Sequence, residues 1–75
     1  MKITYDPDAD ALDIRLREGR FECRTVRLND EIALDFADGE VLVAIEVIGA
    51  SEMGITPEHP EVILDHIKGV ISRVA

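Results

Sequence analysis

Tryptophan is absent from this chain, tyrosine and cysteine each occur once and phenylalanine twice. With so few aromatics, the core must come from Val, Ile and Leu. With Cys23 as the lone thiol, no disulfide can staple the chain. A domain of 75 residues buries only about 60–65% of the surface its unfolded form exposes. Scaffolds this small usually need a staple, a metal or a partner, so oligomerisation is the expected source of further burial. No apolar run approaches the roughly 18 residues needed to span a bilayer. The single thiol and the lack of a secretory leader suit a reducing cytoplasm. Basic residues are outnumbered too. A formal net charge of −8 disfavours direct contact with nucleic acid or membrane, and it suits a basic protein partner.

What is present is a run of short strands and then a helix, with no linker, repeat or low-complexity segment. Ile3 and Tyr5 lie on one side of a first strand, Lys2–Tyr5. Asp6-Pro7-Asp8 supplies a turn, since proline presets φ and aspartate bonds nearby N–H groups. Leu12, Ile14 and Leu16 then alternate with Asp13, Arg15 and Arg17, the period of a strand with one buried face. In the third strand, residues 21–28, Phe21 and Cys23 have one parity and Val26 and Leu28 the other, so a bulge is expected near Arg24-Thr25. Cys23 reads there as a small buried hydrophobe. Ile32, Leu34 and Phe36 mark a fourth strand, and Asp38-Gly39 a hairpin turn. The fifth strand, Val41–Ile48, is apolar on both faces except at Glu46, which calls for cover on both sides.

After a loop over residues 49–56, Pro60 suits the first turn of a helix. Ile63, Ile67, Val70, Ile71 and Val74 form its apolar stripe. The chain therefore reads as one α+β domain, residues 1–75: an antiparallel β-meander of about five strands (residues 2–48) with one amphipathic helix (about 60–74) on the sheet.

The candidate sites are few. Asp6, Asp8 and Asp10 match the first three ligand positions of a calcium loop, but Ala11 stands where that loop needs glycine and Arg17 where it needs a bidentate glutamate. An exposed turn also keeps its carboxylates ionised, unlike a catalytic pair with separated pKa values. His59, before Pro60, belongs to the helix flank, and His66 to the rim of the stripe. Arg15, Arg17, Arg20, Arg24 and Arg27 read as the wet face of a hairpin, paired with carboxylates across it. No catalytic residue and no cofactor site emerges.

The segment from Tyr5 to Leu12 with Ile14, the strand Ile32, Leu34 and Asp35 before Asp38-Gly39, and the run from Val41 to Ser51 together resemble the small prokaryotic proteins grouped as "domain of unknown function 2283". The resemblance covers about residues 1–51. It departs from the family where Asp13 stands for a frequent aromatic and Ala44 for a frequent glycine. It implies a stand-alone β-rich domain with no assigned activity. Relatives encoded beside small toxin-like proteins imply an antitoxin-like role.

The expectation is a non-catalytic binding or assembly module that forms a homodimer and meets a basic protein. Its interface would draw on Leu42, Ala44 and Ile48 of the sheet and on Ile63, Ile67, Val70, Ile71 and Val74 of the helix. The alternative is a small metal-binding protein or enzyme using Asp6, Asp8 and Asp10 with Glu46.

Overall fold

The computed structural model describes residues 1–74, and the side chains of residues 1–69. Five strands, β1 (Lys2–Asp6), β2 (Ala11–Arg15), β3 (Arg24–Arg27), β4 (Ile32–Ala37) and β5 (Val41–Ile48), precede a short 3-10 turn at Ala50–Met53 and a helix, α1 (Val62–Val74). All strand pairs are antiparallel, in one sheet of order β1-β2-β5-β4-β3. Class and element order are those the sequence implies. The order within the sheet is not sequential: β5 inserts between β2 and β4, and the chain from β2 to β3 crosses to the far edge.

Each element has a local cause. In the first turn Asp6 Oδ1 accepts the Asp8 N–H at 3.0 Å, and Asp10 closes the reversal at φ 49°, a left-handed conformation that aspartate tolerates better than most residues. The β4–β5 turn takes two positive-φ residues, Gly39 at 78° and Glu40 at 59°. Asn29 Oδ1 holds the β3–β4 turn by accepting the N–H groups of Glu31 and Ile32.

Register assigns the faces. One face carries Ile3, Tyr5, Leu12, Ile14, Ile45, Val47, Ile32 and Leu34 in facing rows. The core forms there, with Ala50, Ile55 and Ile63 closing over it. Ile55 has no exposed surface and Ile63 almost none. The 3-10 turn and the first turns of α1 thus seal the same side, and the opposite face stays open.

Two details differ from the sequence reading. The bulge lies not in β3 but between β4 and β5, where Asp35 pairs with Ala44 and Phe36 with Leu42, passing over Val43. A bulge breaks the alternation of faces. It turns Leu42 to the side of Phe36, where it packs against the core. The apolar residues of both parities in the first half of β5 therefore need no second cover. Cys23 is exposed, because β3 begins only at Arg24 and the preceding segment lies outside the ladder.

Ile32 sits at the centre of the core with no exposed surface. Ile32→Ala should cost about 2–5 kcal/mol, and Ile32→Val about 0.5–1.5. Against the roughly 5–15 kcal/mol of a typical domain, the alanine variant should show a large fall in urea midpoint and the valine variant a small one.

Candidate binding face

Two aspartates of the first turn, Asp6 and Asp10, are engaged by the fold. Asp6 caps its own turn, as above. Asp10 accepts the Tyr5 hydroxyl at 2.6 Å on one carboxylate oxygen and the Ser51 hydroxyl at 2.7 Å on the other. The Ser51 N–H points between them, 3.1 and 3.2 Å away. The Asp10 carbonyl accepts the N–H groups of Gly49 and Ala50. One residue thereby fastens the first hairpin to the end of β5. The three donors hold the Asp10 carboxyl below its usual range, Tyr5 first and Ser51 next. The same bond to Asp10 holds the Tyr5 hydroxyl above its own. Among the described residues, no group of three or more His, Cys, Asp or Glu is placed to hold a metal ion.

The open face is different in character. Its central row runs Thr4, Asp13, Glu46, Ala33, Arg27 across the five strands, and the next runs Lys2, Arg15, Ala44, Asp35, Thr25. Asp13 and Glu46 stand directly opposite one another, an arrangement of like charges that destabilises a sheet. Among the described residues neither carboxylate forms an ion pair; Arg24 pairs with Glu40, and Glu61 has only the His59 ring, a charge partner when protonated. Lost hydration, then the charges of Asp35 and Asp13, push the Glu46 carboxyl up, with Arg27 opposing. Thr4, Asp6, Ala11, Asp13, Glu46 and Ile48 line a shallow groove of about 390 Å³ on this face. Ile48, 51% exposed, forms its apolar end.

The expected interface residues do not share one surface. Leu42, Ile63 and Ile67 belong to the helix-covered side, Ile63 within the core and the other two packed against it. Ala44 lies on the open face but is buried, flanked in register by Arg15 and Asp35. Ile48 is the exposed one. The side chains of Val70, Ile71 and Val74 lie outside the described residues. His66 packs inward enough to donate from Nε2 to the Met53 carbonyl at 3.1 Å. Exposed His59 lies 3.2 Å from the Glu61 carboxylate, which its own backbone N–H and then His59 hold below its usual range. Of the arginine row, Arg24 pairs with Glu40 and lies 5.2 Å over the Phe36 ring, whereas Arg15 and Arg27 donate to the carbonyls of Gly19 and Asp30. The sequence reading did not identify the Asp13–Glu46 pair or the Tyr5–Asp10–Ser51 latch. Both need strand register, which period-two alternation does not carry.

Asp10 and Glu46 pull stability in opposite directions with pH. Asp10, lowered in the folded state, stabilises above its ordinary range, and that contribution is lost as pH falls through its folded value. Glu46, raised in the folded state, releases its proton more readily when unfolded, so it disfavours the fold as pH rises past its ordinary value. Asp10→Asn keeps a residue suited to positive φ and should lower the melting temperature at neutral pH, with the deficit closing in strong acid. Glu46→Gln should raise it at neutral pH, with the gain vanishing in acid. Thermal melts from neutral to strongly acidic pH check both.

No curated protein and no solved structure matches the chain. The family described as "Protein of unknown function (DUF2283)" matches residues 2–51. That span opens at β1 and closes on Ser51, taking in all five strands and both ends of the latch. The chain belongs to this family of proteins of unknown function, DUF2283.

Proposed function

We propose that the chain is a non-catalytic protein-binding module whose open sheet face receives a basic segment of a partner protein. The observation that carries this reading is the registered Asp13–Glu46 pair with Asp35 beside it, carboxylates set together on an exposed face at a cost to the fold. An arginine or lysine from outside would relieve that repulsion, and Ile48 offers it an apolar neighbour. The net charge of −8 adds long-range attraction for a basic partner. An antitoxin-like role, an acidic domain masking a basic protein, is the specific form of this reading.

A two-fold homodimer centred on the same patch is disfavoured, since it would press Glu46 against its own symmetry mate. The metal-site alternative is weakened because both carboxylate oxygens of Asp10 accept from Tyr5 and Ser51, and one of Asp6 accepts from Asp8.

A fluorescent peptide of alternating arginine and valine, followed by anisotropy, tests the proposal. Binding should weaken with salt, and Asp13→Asn or Glu46→Gln should each weaken it roughly tenfold, about 1.4 kcal/mol. Asp38→Asn, in the β4–β5 turn, should leave it unchanged. Equal loss from all three variants would reduce the effect to overall charge, and no binding at millimolar peptide would remove the proposal.

A further inference from the structure

The two edges of the sheet are chemically unlike. β3 presents Arg24, Thr25, Val26 and Arg27, with positive charge toward both ends and no carboxylate. Pairing this edge with a copy of itself sets Arg24 of each copy against Arg27 of the other, and only Glu40, on Arg24, offers a counter-charge. β1 reads Lys2, Ile3, Thr4, Tyr5, Asp6: a cation, an apolar residue, a neutral centre, a second apolar residue, an anion. Laid antiparallel against a copy of itself, that order is self-complementary.

From this we infer that two copies of the chain join edge to edge through β1, about a two-fold axis at Thr4. In that register Lys2 of each copy faces Asp6 of the other, Ile3 faces Tyr5, and Thr4 faces Thr4. Opposite-charge, aromatic–β-branched and Thr–Thr pairs are each favourable across antiparallel strands. The residues paired share parity, so the core sides of both copies stay on one side of a continuous ten-stranded sheet. The contact is isologous and closes at two chains.

The backbone is ready for it. The Asp10 carbonyl accepts from Gly49 and Ala50, and the Leu16 N–H donates to the Val43 carbonyl. Both groups point from the β2 side toward β5. Since the backbone groups of a strand alternate sides, Leu12 and Ile14 also turn to β5, whereas Ala11, Asp13 and Arg15 turn to β1. Their partners Asp6, Thr4 and Lys2 are thereby engaged, and the N–H and C=O groups of Ile3 and Tyr5 face outward. In the two-fold register those are the groups that meet. The inference concerns the edge alone and stands apart from what the open face binds. The dimer that the small core calls for would then leave both acidic faces free.

Sedimentation velocity tests it at the symmetry centre. The unaltered chain should be a dimer at micromolar concentration and dissociate as salt is raised. Thr4→Lys and Thr4→Glu should each be monomeric, because like charges meet at the axis. An equimolar mixture of the two should recover the dimer. Lys2→Glu, which would face Asp6 twice, should also be monomeric, whereas Thr25→Lys on the opposite edge should leave the dimer intact. Far-UV circular dichroism confirms that each variant is folded, and Lys2→Glu, at an exposed strand end, supplies the decision if a Thr4 variant is not. A monomeric parent chain, a dimer indifferent to Thr4→Lys and Lys2→Glu, or a mixture that stays monomeric would overturn the inference.

Discussion

The architecture depends on what Asp10 holds together. Its carbonyl and carboxylate collect bonds from Tyr5, Gly49, Ala50 and Ser51, joining the first turn of the chain to residues some forty positions later. Charge-assisted bonds of this kind are stronger than neutral ones. Here they sit where the chain leaves the sheet at positive φ through Gly49, at 71°. The position of the 3-10 turn follows from that anchor. Ala50 and Ile55 are seated in the core by the same turn, and the approach of α1 over the sheet starts from it. Four aspartates in eight residues look like a ligand cluster when read in a line. In space Asp6 forms the turn with the Asp8 N–H, Asp10 is a latch, and Asp13 is one half of a surface pair.

The division of labour between the two faces has a simple physical basis. One side carries the branched aliphatic rows, and the short turn and helix close it. The other side retains small residues, Ala33 and Ala44, where large apolar ones would demand cover. It surrounds them with ionised groups that water can solvate. The bulge at Val43 makes this economical, since it redirects Leu42 to the covered side. A chain of 75 residues with one helix has material to cover a single face of its sheet, and the placement of its alanines and charges matches that limit.

Much of this was legible in the residues themselves. Alternation in Leu12, Ile14, Ile32, Leu34 and Phe36 marked the strands, and the bounds of β5 were readable from Gly39 to Gly49. Pro60 and the stripe from Ile63 onward marked the helix. What was hidden was nonlocal. Strand order depends on which apolar rows fit one another across the sheet, and alternation is the same for any order. The bulge depends on the match between β4 and β5, not on either alone, and the parity break in residues 21–28 instead reflects chain outside the ladder. The two ends of the family resemblance, Tyr5–Leu12 and Ala50-Ser51, were recognised as separate pieces of pattern. Their meeting at Asp10 explains in hydrogen bonds why they belong to one unit.

The crossing from β2 to β3 also has a consequence in time. A chain emerging from the ribosome at about 5–20 residues per second completes β1 and β2 early, and that hairpin has local contacts enough to form. The other side of β2 must wait for residues 44–48, which are its partners in β5. During that interval Leu12 and Ile14 belong to a two-stranded ribbon with a bare edge, the kind of surface on which nascent chains associate wrongly. The late arrival of β5 ends the exposure at a stroke, filling the gap between two preformed hairpin units. The interval before residues 44–48 arrive is therefore when the β2 edge of this small sheet stands unpaired.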